Sequence, residues 1–234
     1  MGRTFDGGYA EYTCVPVRQV LPFHSQLDAA TLGAVPEMLQ TAHGSLTRGL
    51  DARSGQTLLV RGGTSSVGLA TAILATQRGL TVLSTTRDAA HSDVLHRAGA
   101  AYVVLDDGAI AEQVRDVVPG GVDLALELVG APTLRDTLAA TRTHGVVCFT
   151  GMLSNQWVVP DFYPIDYLAH GVRLTAYAGD ATDLPADVLQ TYLDDVAAGR
   201  ATVPMARAFA LDGIVEAHRL MEEGGAGGKL VVVL

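Results

Sequence analysis

The stretch Thr57–Leu83 reads TLLVRGGTSSVGLATAILATQRGLTVL. Its first residues, Thr57–Arg61, are apolar and β-favouring, and they lead into a turn rich in glycine and serine at Gly62–Gly68. Leu69–Gln77 is apolar and rich in alanine, which is typical of a buried helix, and a second strand-like run begins at Thr81. The stretch therefore predicts a strand, a glycine turn, a helix and a strand, which together form a βαβ unit.

The glycine turn has the composition of a dinucleotide site. The amino end of the following helix offers N–H groups and a positive dipole end to an anion. Gly63 would let a pyrophosphate approach the backbone, while Ser65 and Ser66 could donate hydroxyls or cap the helix. Because Gly63 and Gly68 flank TSSV, the motif departs from the usual G-x-G-x-x-G, and a tight turn before a packed helix is the alternative interpretation.

The second strand ends in polar residues, Ser84-Thr85-Thr86-Arg87-Asp88. In a dinucleotide fold this strand end faces the adenosine ribose, where an acidic residue selects NAD and an arginine accommodates the 2′-phosphate of NADP. Arg87 therefore favours NADP(H). Asp88 is the objection, but it also suits the amino-terminal cap of a helix over Ala89–Ala98, which is the role we expect.

Strands and helices continue to alternate after this unit. The predicted segments are Tyr102–Leu105 (strand), Ala109–Val118 (helix), Val122–Val129 (strand), Pro132–Thr141 (helix) and Gly145–Thr150 (strand). This alternation predicts an α/β fold with a doubly wound parallel sheet of the Rossmann type. Ligands bind outside the carboxyl ends of such strands, where the chain places Arg61–Gly68, Ser84–Arg87, Val129-Gly130 and Thr150-Gly151.

The flanking segments carry weaker patterns. Tyr9–Val17 alternates as a strand, and Leu27–Leu50 predicts two helices, the first capped by Asp28 and the second with Pro36 in its first turn. Ser154–Tyr167 is aromatic and would be either a substrate-pocket wall or a packed loop. The remaining predictions are Val172–Tyr177 (an edge strand), Pro185–Ala198 and Asp212–Glu223 (helices) and Lys229–Leu234 (a strand).

Composition excludes several classes of function. The 234 residues carry a net charge of −9, which disfavours a nucleic-acid partner. No run is long and apolar enough for a membrane span or a signal core, so we expect a cytoplasmic protein without a membrane partner. Cys14 and Cys148 lie far apart and are consistent with inert buried thiols. The spacing of Cys and His matches no metal motif.

A set of motifs in a fixed order resembles the medium-chain dehydrogenase/reductase superfamily, within its quinone-oxidoreductase-like, zinc-binding-dehydrogenase group. The matching segments are Asp6–Tyr12 (DGGYAEY), Pro36–Ala42 (PEMLQTA), Ser54–Ala70 (SGQTLLVRGGTSSVGLA), Ala98–Val103 (AGAAYV), Gly121–Gly130 (GVDLALELVG) and Ala217–Val231 (AHRLMEEG…GKLV). The match runs almost from end to end.

The resemblance implies an NADPH-dependent hydride transfer to or from a small carbonyl, quinone or activated alkene. It places the pyrophosphate at Ser65, Ser66 and Val67 and the adenosine phosphate at Ser84, Thr85, Thr86 and Arg87. His91 stands where some relatives have a lysine. The nicotinamide contacts would fall near Thr41, Val129, Gly130, Thr150 and Gly151, although Thr41 could also be a buried helix hydroxyl. Relatives commonly dimerise by joining sheet edges, so Val172–Tyr177 would form a homodimer interface.

One departure from the family is large. Most of the N-terminal GroES-like domain of the relatives has no counterpart here, so 1–24 and 205–234 are expected to be its remnants around a dinucleotide-binding domain at 25–204. Metal ligands of the family would lie in the missing part, and we expect no metal in this chain. No proton donor can be named, and His43, His144 and His170 suit structural or exposed roles better than catalysis.

Three alternative functions compete with this hypothesis. The chain could be an NADP-binding module that does not turn over. A short-chain dehydrogenase is disfavoured because its Tyr-x-x-x-Lys motif is absent, since Lys229 is the only lysine and Gly225 stands four residues before it. A methyltransferase could use a glycine-bearing βα turn, but the downstream motifs disfavour it.

Overall fold

The computed structural model describes residues 7–224 and 226–234. Of the predicted motif Asp6–Tyr12, Asp6 therefore lies outside the described residues, as does Gly225. The chain forms two compact units, one over Thr41–Gly179 and one from the described residues up to Gln40 together with those from Asp180 onward. The predicted domain boundaries, at 24/25 and 204/205, stay a prediction.

The Thr41–Gly179 unit holds a six-stranded parallel sheet in the order β3-β2-β1-β4-β5-β6. Its strands are Thr57–Arg61 (β1), Thr81–Thr86 (β2), Ala100–Leu105 (β3), Val122–Glu127 (β4), Thr141–Phe149 (β5) and Arg173–Ala176 (β6). The order reverses between β1 and β4, as in a doubly wound sheet. The predicted α/β, Rossmann-type fold is confirmed, and β6 lies at an edge as expected.

Helices connect these strands and cover the sheet. Ala29–Gly44 (α1) precedes the first strand and is divided between the two units. The connecting helices are Ser66–Gln77 (α2), Ser92–Arg97 (α3), Ala111–Val117 (α4), Ala131–Ala139 (α5) and Pro164–Tyr167 (α6). β1 is buried from Leu58 to Arg61, which explains its continuous apolar run. In α2 every residue from Gly68 to Ala75 is buried, as the alanine-rich pattern predicts.

The other unit contains a two-stranded parallel sheet, two further helices and the part of α1 up to Gln40. Its elements are Ala186–Ala197 (α7), Met205–Ala210 (β7), Ile214–Glu222 (α8) and Lys229–Val233 (β8), and β7 pairs with β8. The sequence MARAFA of β7 has little β-propensity, so its pattern did not predict a strand here. No helix in the described ranges combines the length and the apolar character that crossing a membrane requires.

The prediction of two helices over Leu27–Leu50 is wrong, because α1 runs unbroken through Pro36. A proline inside a helix removes one hydrogen bond. Apolar residues that are nearly fully buried flank it on both sides, among them Val35 and Met38, and their packing offsets that loss. A single π-helical turn, Ser45–Gly49, follows directly. The predicted cap is present, since the Thr31 amide donates to the Asp28 carboxylate over 3.0 Å.

The predicted strand at Tyr9–Val17 is also wrong. This segment forms no strand, and Tyr12 and Val17 are 90% and 87% exposed. An alternating pattern becomes a strand only where another strand can pair with it. Cys14, expected to be buried, is exposed for the same reason, whereas Cys148 on β5 is buried as expected.

Asp123 fastens the amino ends of β1, β4 and β5 to one another. Its carboxylate accepts hydrogen bonds from the amide of Thr57 (2.7 Å), the hydroxyl of Thr57 (2.8 Å) and Nε of Arg142 (2.6 Å). Burial alone would raise the pKa of Asp123, but the Thr57 amide and Arg142 outweigh it and hold the pKa below its ordinary value.

Asp123→Asn should therefore destabilise the fold by about 1 kcal/mol at neutral pH. Because the pKa is depressed in the folded state, this stabilisation exists above the pKa of the unfolded carboxyl group, about 4, and is lost as pH falls through the folded value. In urea unfolding between pH 7 and pH 3, the free energies of unfolding of the wild-type protein and Asp123→Asn should converge as the pH falls. Asp116→Asn, at an exposed position, is the control. A difference that stays constant with pH would contradict this account.

Candidate functional site

A cavity of about 420 Å³ lies beyond the carboxyl ends of the central strands. Its lining comes from the glycine turn, the end of β2, the loop after β3, and the segments after β4 and β5. The residues are Gly62, Thr64, Thr85, Thr86, Arg87, Asp106, Asp107, Gly108, Val129, Thr133, Leu153 and Ser154. Of the predicted site residues, the structure brings Thr85, Thr86, Arg87 and Val129 together around this cavity.

The glycine turn is held in shape by Ser65. Its hydroxyl donates to the carbonyl of Gly62 (2.8 Å) and accepts from the amide of Gly68 (3.0 Å), so the predicted cap is present. Ser66 and Val67 open α2, and the first amides of a helix have no acceptor within it. These two amides are the groups that could bind a phosphate.

Gly63 is required for packing inside the turn. A Cβ at this position would lie 2.0 Å from Oγ of Ser84 and 2.9 Å from the carbonyl oxygen of Thr85. The absent side chain thus makes room for β2, and the predicted approach of a pyrophosphate to Gly63 stays a prediction.

The three hydroxyl-bearing residues at the end of β2 are buried. Ser84 is fully buried, and its hydroxyl has no hydrogen-bond partner within the described parts of the chain. Thr85 accepts from the amide of Gly62 (3.1 Å), and the hydroxyl of Thr86 donates to the carbonyl of Asp88 (3.0 Å). Arg87 alone of the four predicted adenosine contacts is exposed.

Asp88 has the structural role expected of it. Its carboxylate accepts a hydrogen bond from the amide of Ala90 over 2.9 Å and caps the 3₁₀ turn Ala89–His91 that precedes α3. Arg87 takes part in no ion pair with any residue of the described ranges. This strand end therefore carries an exposed cation, Arg87, directly beside the exposed Asp88.

A fully buried arginine, Arg61, lies beneath the cavity, and its partners could not be predicted from the sequence because they are distant in the chain. It donates two hydrogen bonds to Asp106, each of 2.9 Å, and one of 2.7 Å to Asp136. It also donates to the carbonyl of Thr133 and the hydroxyl of Thr137. Burial opposes the charges of both Arg61 and Asp106, but the pairing outweighs it, so the pKa of Asp106 is lowered and that of Arg61 is raised.

Glu127, at the end of β4, is the second buried charge. Its carboxylate accepts from the amides of Val129 (2.7 Å) and Gly130 (3.0 Å) and from the hydroxyls of Thr133 and Thr137. Burial nevertheless raises its pKa above the ordinary value. The only signal in the sequence was an acidic residue inside an apolar strand.

The cavity lining does not include four of the five predicted nicotinamide contacts: Thr41, Gly130, Thr150 and Gly151. Thr41 is part of α1 and is partly buried. Thr150 and Gly151 follow β5, and the hydroxyl of Thr150 lies 3.0 Å from that of Ser45, in the π-helical turn. A Cβ at Gly151 would lie 2.6 Å from the carbonyl oxygen of Leu128, so the ends of β4 and β5 are in close contact.

Metal and acid–base groups are sparse. The residues that the structure describes contain no group of three or more His, Cys, Asp or Glu side chains placed to hold a metal ion. Of the histidines considered, His43 is buried in α1, and His144 and His170 are exposed. None of the three lines the cavity.

A protein-family model described as zinc-binding dehydrogenase matches residues 98–232, which is more than half of the chain. The chain belongs to the zinc-binding dehydrogenase family. This confirms the resemblance that the motifs indicated. The match begins just after α3 and covers β3 to β8, so the glycine turn lies before it.

Individual relatives agree with this family. The chain is 25% identical over 235 residues to the quinone oxidoreductase of Homo sapiens, covering 99% of this chain and 70% of that protein. The crystal structure of AibC has a TM-score of 0.81 and 29% identity, over 100% of this chain and 64% of AibC. A mycobacterial protein solved with NADPH has a TM-score of 0.74 and 24% identity, over 89% of this chain and 67% of its own. The chain thus spans about two thirds of these relatives.

Gly63→Ala should destabilise the protein by about 1–3 kcal/mol, because the new methyl group overlaps the hydroxyl of Ser84. Ser84→Ala should be nearly neutral, since it removes a buried hydroxyl that has no partner among the described residues. The double variant should recover part of the loss, with a coupling of at least about 0.5 kcal/mol in denaturant unfolding. Strictly additive effects would show that the two residues do not meet.

Proposed function

We propose that this chain binds NADP(H) and takes part in hydride transfer to or from a small carbonyl, quinone or activated alkene. The main support is the cavity, which is lined by Gly62 and Thr64, in the turn that leads into α2, and by the exposed Arg87. A helix amino terminus and an arginine are the two features that a dinucleotide with a 2′-phosphate requires. The names of the relatives agree: one is a quinone oxidoreductase, and another was solved with NADPH.

The residues divide into three groups under this proposal. The turn at Ser65, Ser66 and Val67 would receive the pyrophosphate. Arg87 would bind the 2′-phosphate, while Ser84, Thr85 and Thr86 shape the strand end beneath it. The nicotinamide would be oriented by Thr41, Val129, Gly130, Thr150 and Gly151. The coenzyme supplies the hydride, and the protein orients it and excludes water.

We further propose that no zinc ion takes part in this chain's chemistry, because the described residues offer no ligand set that fits one. The second candidate function is a module that binds NADP without turnover. It is favoured because Asp106, an acidic residue of the cavity lining, is held ionised by Arg61 and is therefore a poor proton donor for the reaction. Turnover of quinones or enones with NADPH would favour the enzyme over the binding module. Turnover that a chelator does not diminish would support the proposal that no zinc ion takes part.

Calorimetric titration of the 234-residue chain with NADPH and NADH tests the coenzyme. We expect NADPH to bind more tightly than NADH. Arg87→Ala should weaken the binding of NADPH by about 1–3 kcal/mol, as is typical for loss of a charge-assisted hydrogen bond, and should have little effect on the binding of NADH. Arg97→Ala, on the exposed side of α3, is the matched control. Equal losses for the two coenzymes would remove Arg87 from the phosphate site, and no binding of either would overturn the proposal.

We also propose a cytoplasmic homodimer that joins β6 edges over Val172–Tyr177. An edge strand presents unpaired amide and carbonyl groups that can pair with a second copy. Outward amides of β6 should gain hydrogen-exchange protection as protein concentration rises, while those of β3, at the opposite edge, should not. Sedimentation that shows only monomer at micromolar concentration would contradict the dimer.

A further inference from the structure

Four of the five predicted nicotinamide contacts share one hydrogen-bonding partner, Glu127. Its carboxylate accepts from the amides of Val129 and Gly130, at 2.7 and 3.0 Å. Its backbone carbonyl accepts from the amides of Thr150 and Gly151, at 3.0 and 3.1 Å. One residue thus contacts the backbone of both segments that leave β4 and β5.

The carboxylate holds a backbone shape that does not form readily by itself. Gly130 has φ 123° and ψ −156°, a conformation that residues with a Cβ essentially do not adopt. The amides of Val129 and Gly130 both point back at the same carboxylate oxygen in this turn. That oxygen also accepts from the hydroxyl of Thr133, 3.0 Å away.

The position of the carboxylate is itself fixed from the other side. Glu127 is fully buried, and its second oxygen accepts from the hydroxyl of Thr137 on α5. Thr137 in turn accepts a hydrogen bond from Arg61, at 3.2 Å. The side chain therefore has a single arrangement, set by α5 and by the end of β1.

We propose that Glu127 is a positioning residue, which sets the turn presenting Val129 and Gly130 to the nicotinamide end of the coenzyme. The inference rests on the proposed function, because it assumes that the nicotinamide occupies this end of the cavity. Glu127 acts through backbone amides that it aligns and does not itself touch the coenzyme. Its length and its acceptor oxygen matter for this role, and its charge does not.

Two substitutions separate positioning from a purely electrostatic role. Glu127→Gln keeps the chain length and one acceptor oxygen for the turn, while its amide can donate to Thr137, so only the charge is lost. Glu127→Asp keeps the charge but shortens the side chain by one methylene group, so its carboxylate no longer reaches the amides of Val129 and Gly130. Glu112, exposed in the first turn of α4, provides matched controls as Glu112→Gln and Glu112→Asp.

The readout compares NADPH with adenosine 2′,5′-bisphosphate, a fragment that lacks the nicotinamide. We expect Glu127→Asp to weaken NADPH about tenfold and to leave the fragment within about twofold of the wild-type protein, since one buried hydrogen-bonding arrangement is lost at the nicotinamide end alone. Glu127→Gln should stay within about threefold for both ligands. A merely structural role would lower both affinities together.

Hydrogen exchange without coenzyme tests the turn independently. Glu127→Asp should expose the amides of Val129 and Gly130 to faster exchange, and Glu127→Gln should not. The inference is overturned if glutamine is tolerated less well than aspartate, if both ligands weaken equally, or if the two amides exchange as in the wild-type protein. If the wild-type chain binds neither ligand, the proposed function fails, while the exchange data still decide whether Glu127 holds the turn.

Discussion

The buried guanidinium of Arg61 is the interaction on which the arrangement of the strand ends depends. A charge removed from water is costly unless it is paired and hydrogen-bonded, and breaking such a pair commonly costs about 3–5 kcal/mol. Arg61 meets this requirement with two carboxylates from different elements, Asp106 after β3 and Asp136 in α5. Asp136 also accepts from the amides of Ile110 and Ala111, so the start of α4 belongs to the same network. The parts that border the cavity therefore cannot shift independently.

The two ends of the cavity differ in how firmly they are held. At the end of β4 the backbone amides are tied to Glu127, and Gly151 contacts the backbone of Leu128 so closely that no side chain fits. At the end of β2 the chain turns outward, and Arg87 is exposed. A ligand would thus meet a rigid wall at one end and an adaptable cation at the other. Such a division suits a reactive ring that needs exact orientation and a phosphate that needs mainly charge.

The sequence predicted the parts of the fold that depend on local pattern. The βαβ unit, the cap at Asp88 and the edge position of β6 follow from glycine, capping residues and apolar runs. It could not predict features that depend on distant partners. The sequence pattern predicted a helix start at Pro36, because the packing that carries α1 through this residue is tertiary. The close approach of Gly63 to Ser84 was equally beyond prediction, because it exists only once β1 and β2 have paired. For the same reason, the sequence could not indicate that Arg61 and Glu127 are linked through the hydroxyl of Thr137.

The burial of the residues at the end of β2 limits how coenzyme preference could be redesigned. Preference between nicotinamide coenzymes is commonly altered by placing a carboxylate at this strand end, where it meets the ribose. Here an acid at position 84 or 85 would be buried against the glycine turn without a partner, which costs more than the new contact could return. Under the proposed function, a redesign of coenzyme preference is therefore confined to the exposed turn at Arg87, where Asp88 must still cap the 3₁₀ turn Ala89–His91. Only a few positions would then be open to mutations that alter coenzyme preference without loss of stability.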